Sequence, residues 1–362
     1  MILKTRIIAA VFFSFAVSMP SNGAENPLHM EIPCGKKDQT KTYDGYGGVS
    51  RHVASLVFDQ QGKQLVVITQ DEDSESLHGG SMKAWDTSKQ KKLIVPPLAE
   101  HKIIYRACFN QIGTQLVSNS GKKVYVYDFA TQQQKSLFTH EKTITAMCFA
   151  GQSNLVLGDM YDQVVMIDKD GRIVACSQGS SDSINDRIKA MCYNEKTSCL
   201  ATVNYNNTVS IYDKNLEIQN LFSSSRYENK EDKDLHKICY DDKGDYVLIV
   251  DDEQKVFLID TKKGKMSLVD KSDSSSLLGM YFDTKDQSFK LLLWDEESYT
   301  NEIQISAYDI KTKESNCLAH VESDFKPHSA IVDPSGTYLA IAGENLGELF
   351  VRLYAYKQFT AQ

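Results

Sequence analysis

The sequence predicts an all-β fold, and three observations carry that prediction. A short apolar segment ending in Asp recurs: "MKAWD" ends at Asp86, "VYVYD" at Asp128 and "VVMID" at Asp168. "VSIYD" ends at Asp213, "VFLID" at Asp260 and "ISAYD" at Asp309, so successive intervals are 42, 40, 45, 47 and 49 residues. Upstream of each copy lies a second marker: an apolar segment, a turn of Gly, Asn, Asp or Lys, and another apolar segment. The composition agrees, being rich in Tyr, Phe, Val and Ile without long Ala/Leu/Glu runs.

The upstream marker can be followed unit by unit. It reads "VASLVFDQQGKQLVVIT", "YRACFNQIGTQLVSNS", "ITAMCFAGQSNLVLGD" and "IKAMCYNEKTSCLATVN" in the first four units. The next three read "HKICYDDKGDYVLIVDD", "LGMYFDTKDQSFKLLLWDE" and "SAIVDPSGTYLAIAGE". "LFVRLY", ending at Tyr354, is a seventh copy of the first marker that lacks its Asp. A weaker fourth segment follows in units one to six, such as "KKLIVPP", "QKSLFTH" and "RIVACSQ". Four short strands per 40–50 residues, seven times over, predict a seven-bladed β-propeller of four-stranded antiparallel blades.

Trp85 and Asp86 in "AWD" form the best-preserved copy and resemble the WD40-repeat family. The resemblance spans Val49 to Tyr354, in degenerate copies held in register. It implies that the ring closes by borrowing an outer strand from the N-terminus, for which Leu28–Tyr43 is the candidate. Closure of that kind removes the free sheet edges of an open array. The second Trp-Asp pair, Trp294-Asp295, sits one strand too early and ends a second strand instead.

The family's polar network joins a His, a Ser/Thr, the Trp and an Asp six residues before it. Here Gly79, Gly121, Tyr161, Asn206, Glu253 and Glu302 occupy the Asp position, and Tyr127, Ile167, Tyr212, Ile259 and Tyr308 replace the Trp. His101, His140 and His328 stand before first strands and read as loop residues that lack the full set of network partners. Blades held by packing are therefore expected, with Trp85 a packing residue and Asp86, Asp128, Asp168, Asp213, Asp260 and Asp309 strand-ending turn residues.

Cys108, Cys148, Cys192 and Cys239 share one repeat position, before the first-strand aromatic, and read as small buried hydrophobes between blades. Closure by the N-terminal segment would bring Cys34 and Cys317 onto outer strands of adjacent blades, and their pairing stays open. No CxxC, GxSxG, GxxxxGK[ST] or HExxH motif occurs. "DEDSES" lacks the Gly and the terminal Glu of a calcium loop and reads as a solvated acidic turn. No catalytic residue, metal or cofactor is expected.

The first residues carry Lys4 and Arg6, then an apolar run from Ile7 to Val17, then small residues, which is the plan of a signal peptide. The run is too short for the ~20 residues of a membrane span. Residues 1–24 are assigned to it, 25–48 to the closing segment and 49–362 to the propeller. An exported protein, periplasmic or secreted, is expected. Its net charge of −8 excludes a basic footprint for nucleic acid or anionic membrane.

In such a ring the turns between second and third strands share a face with the loops leading into each blade. That face carries Asp71, Asp73, Asp159, Asp251, Asp252, Asp295 and Glu296, and the long loop Ser223–Asp234 overhangs it. The opposite face carries Lys89, Lys169, Arg172, Lys262, Lys263 and Lys265. The acidic face is expected to draw a basic protein or peptide to a monomeric, non-enzymatic scaffold. The alternative is a propeller enzyme of lactonase or quinone-dependent dehydrogenase type, with its site in the central channel.

Overall fold

The computed structural model describes residues 28–36, 50–72, 77–93, 106–110, 112–177, 186–223, 235–251, 255–271, 275–295, 302–310, 314–322, 324–345 and 348–356, with positions 95, 104, 179 and 312. The expected signal peptide, Asp73, His101, residues 224–234, Asp252 and Glu296 lie outside these. Among the described residues the chain forms seven four-stranded antiparallel sheets, each taken in sequence order from first strand to fourth except the last. The first strands are Ser50–Phe58, Arg106–Phe109, Ile144–Ala150, Ile188–Asn194, Leu235–Tyr240, Ser275–Asp283 and Lys326–Val332.

In the seventh sheet the outer strand is Leu28–Lys36, paired antiparallel with Glu348–Ala355. The N-terminal segment thus closes the ring, as the resemblance implied. Arg352 clasps the seam: its Nε donates to Glu31 Oε2 at 2.8 Å, and its guanidinium also pairs with Asp324. Ile32 and Cys34 from the same strand are buried against Trp85 and Leu56 of blade one. Cys34 therefore faces blade one while Cys317 is exposed on blade six, and no disulfide joins them.

The core is divided among seven interfaces between neighbouring blades. The Trp position explains the division. Trp85, Tyr127, Ile167, Tyr212, Ile259, Tyr308 and Tyr354 are each 7% exposed or less, and each packs into the cluster shared with the preceding blade. Any large apolar side chain can fill that slot, which is why Tyr and Ile substitute for Trp without losing the fold.

The Asp that follows is a turn cap. Asp128 Oδ1 accepts from the Ala130 and Thr131 N–H groups at 3.0 and 2.9 Å, and Asp168 Oδ1 from Asp170 and Arg172 at 2.9 and 2.8 Å. Asp86, Asp213, Asp260 and Asp309 make the same kind of bond to Lys89, Asn215 and Glu217, Lys263 and Thr312.

A second ring of caps was hidden in the turns between first and second strands. Asp59, Asn110, Asn194, Asp241 and Asp333 each accept from a backbone N–H three to five residues ahead. All five are buried, and at Asp59, Asn194 and Asp333 a glycine of a neighbouring blade lies against the side chain. Gly113 of blade two, at φ +72°, sits so close to Asp59 of blade one that a Cβ would lie 2.6 Å from its Oδ2. Only glycine fits that left-handed, covered position.

Candidate interaction face

Six of the seven first strands carry a β-bulge at the end nearest the turns between second and third strands. The pairing skips one residue between Val53 and Ser55, Ile144 and Ala146, Ile188 and Ala190, Leu235 and Lys237, Leu277 and Gly279, and Pro327 and Ser329. A bulge leaves a residue unpaired and re-aims its side chain. Side chains of the blade before reach into this region. Asn119 donates to Ile144 O at 2.9 Å, Thr145 to Ile188 O at 2.6 Å, and Lys237 Nζ to Leu277 O and Leu278 O at 3.1 and 2.7 Å. Burial pushes the Lys237 ammonium down to about 8.

Two of the expected surface carboxylates prove internal. Asp159 is 1% exposed and Asp251 2%. Asp159 Oδ1 accepts from Tyr161 and Gln163 N–H at 2.8 and 3.0 Å, and Asp251 Oδ1 from Lys255 N–H at 2.8 Å. Asn204 holds the same turn in blade four, accepting from Thr208 N–H at 2.9 Å. These side chains cap turns and point inward, so they lend little charge to the face. Asp71 and Asp295 lie near the ends of the second strands of blades one and six, opposite Arg51 and Ser275.

His140 also differs from the sequence reading. It is 7% exposed, and its Nε2 lies 3.0 Å from Asp159 Oδ2. The partner stands eight residues before Ile167 rather than six, so a fixed-spacing reading passes over it. His328 stands 3.6 Å from Glu344 in blade seven. A partial polar network thus survives in blade three, on top of the apolar packing.

The inner rim of the face carries cations held against aromatic rings, a feature no repeat alignment displays. Lys142 Nζ lies 4.7 Å from the Tyr161 ring centre. Arg187 and Lys189 lie 4.3 and 3.8 Å from the Tyr205 ring centre, and Lys326 5.6 Å from that of Trp294. Tyr161 and Tyr205 follow the capping Asp159 and Asn204 within two positions, and the cations come from the loop or first strand beside them. Arg106 of blade two has its pKa lowered by burial and then by the nearby charge of Arg187 of blade four.

On the opposite face the repeat carboxylates partly neutralise the lysines. Lys89 pairs with Asp86 at 3.0 Å, Lys263 with Asp260 and Lys262 with Asp245, each at 2.8 Å. Further in, Cys108, Cys148, Cys192 and Cys239 pack against the interface with the following blade. Burial drives all four thiols well above the ordinary range, Cys148 and Cys239 to about 12. Among the described residues no three His, Cys, Asp or Glu side chains are placed to hold a metal ion.

A chain in a solved structure described as "Crystal Structure of Mitotic Checkpoint Complex" is similar over 97% of this chain and 100% of its own, with a TM-score of 0.64 and 13% identity. The shared architecture is the β-propeller. At that identity the likeness concerns the fold. No family model matches the sequence, and no curated protein does. Among the described residues no helix is long and apolar enough to cross a membrane.

Proposed function

We propose that this WD40-like propeller is an exported, non-enzymatic interaction scaffold, monomeric, that binds a protein or peptide on the face formed by its second-to-third-strand turns. The supporting observation is the construction of that face. Bulged first strands, inter-blade hydrogen bonds and capped turns hold side chains from successive blades in fixed positions around one rim. A preorganised, multi-blade surface of this kind loses little entropy when a partner docks. The similarity to a chain of a multiprotein complex points the same way. The leader-like residues 1–24 support export, to a periplasmic or secreted location.

The charge expected of the face changes with the inward turn of Asp159 and Asp251. Asp71, Asp73, Asp252, Asp295 and Glu296 stay in the proposal as contacts for basic groups of a partner. The test is a quantitative pull-down with the mature chain. Asp252→Asn, Asp295→Asn and Glu296→Gln are made together, leaving the two capping carboxylates intact. Reduced partner recovery at an unchanged melting temperature supports contact through these turns, and unchanged recovery removes them. Stoichiometric metal surviving dialysis, with turnover of a lactone or quinone-coupled alcohol, would sink the non-enzymatic reading.

A further inference from the structure

We propose that Cys317 and His320, on the outer strand of blade six, form an activated thiol that takes up a low-molecular-weight disulfide as a mixed disulfide. The site lies on the circumference of the ring and goes beyond the scaffold reading, on which it does not depend. Cys317 Sγ stands 3.3 Å from His320 Nε2, and both residues are exposed. A bulge brings them together. Ser306 pairs with Cys317, but Ile305 pairs with Ala319 and Gln304 with His320, so Leu318 is skipped. Residues three apart in a regular strand point to opposite faces. The extra residue cancels that alternation and aims His320 onto the face of Cys317. Gln304 and Ser306, on the neighbouring strand, share that face, with Gln304 Nε2 donating to Ser306 Oγ at 2.8 Å.

The imidazole sets this thiol apart. Cys34, Cys176, Cys199 and Cys239 each donate to a backbone carbonyl, at 3.5, 3.3, 3.6 and 3.4 Å. A carbonyl oxygen orients an S–H group but does not accept its proton. An imidazole does, and the resulting imidazolium holds the thiolate, which is the nucleophilic form. Cys317 Sγ also lies 3.8 Å from Ala319 O, a longer contact than the one to the imidazole. Cys176 is the natural comparison. It too is exposed on an outer strand, that of blade three, yet burial and then the nearby Asp159 charge raise its pKa. In the reaction the Cys317 proton passes to His320 Nε2, and Sγ attacks one sulfur of the disulfide. The reagent's S–S bond breaks as the new one forms, and the departing sulfur leaves as a thiolate that takes up the proton. Cys317 is oxidised and half of the reagent is reduced to a thiol, so no further oxidant is needed.

The test exposes the folded chain to 2-hydroxyethyl disulfide, an uncharged probe, at neutral pH and follows adducts at each cysteine by peptide mass mapping. Cys317 should react about tenfold faster than Cys176, the gain in thiolate exceeding the loss in nucleophilicity that accompanies it. His320→Gln should slow Cys317 about threefold and leave Cys176 unchanged. His320→Arg, which keeps a cation beside the sulfur, should restore the rate, a recovery that a packing role does not give. Cys34, 2% exposed, gauges the fold in each variant by remaining unmodified. Equal rates at Cys317 and Cys176 in the wild-type chain overturn the proposal with no variant involved. An unchanged Cys317 rate in His320→Gln, or His320→Arg as slow as His320→Gln, overturns it as well.

Discussion

Asp128 and Asp168 each hold a turn by accepting two N–H bonds from the residues just ahead. Their ionised forms are favoured, Asp128 chiefly by the Thr131 N–H and Asp168 by the Arg172 N–H, so both titrate below the ordinary 3.8. A carboxyl with a depressed folded pKa adds stability above 3.8 and loses it as pH falls through the lower folded value. Asp59 and Asp241 run the other way. Burial raises them, so they take up protons before the unfolded chain does and favour the fold as pH falls towards 3.8. The melting temperature of the wild-type chain should therefore hold through the raised pair's titration and drop below about pH 3.8. Asp128→Asn with Asp168→Asn keeps an acceptor oxygen without the titration and should flatten that drop. A steeper acid limb in the variant contradicts the assignment. At the Trp position, Ile259→Ala empties a fully buried site between blades four and five and should cost about 2–5 kcal/mol in urea denaturation.

At the scale of elements, the strands were legible because alternating and apolar segments recur between polar turns at a steady period. The number of blades followed from counting them, and the closing strand from the WD40 resemblance. The bulges were not legible. Skipping one residue changes the pairing of "ITAMCFA" or "IKAMCYN" without changing its spelling. Nor does sequence separate an Asp that caps a turn from one in solvent, so Asp159 and Asp251 read as surface charge. Cys34 makes the closing strand testable. It is 2% exposed and burial pushes its thiol up to about 11, whereas Cys176 and Cys317 are exposed. In native protein a thiol reagent at neutral pH should label Cys176 and Cys317 well before Cys34. Ile32→Asp, which puts a charge into the blade seven–blade one core, should bring Cys34 to comparable rates and promote aggregation through the freed edge. Continued protection of Cys34 in that variant would contradict the seam as described.

Across the whole molecule, the face reads differently from its sequence. Expected acidic by count, it places lysines and arginines on rings at its centre, while two of its carboxylates serve the turns. Geometry, rather than composition, decides which charges a partner meets. The seam also sets an order in time. Glu31 and Arg352 are 321 positions apart in the chain, and joining so distant a pair carries a loop-closure cost of about 5 kcal/mol if nothing else has formed. Blades two to six can each pair their own consecutive strands as they emerge during synthesis, shrinking that gap in advance. The N-terminal strand has no such neighbour and must wait, unpaired, until almost the last residue is made. The circle is therefore locked last, and a chain released short of Glu348 has nothing to lock against.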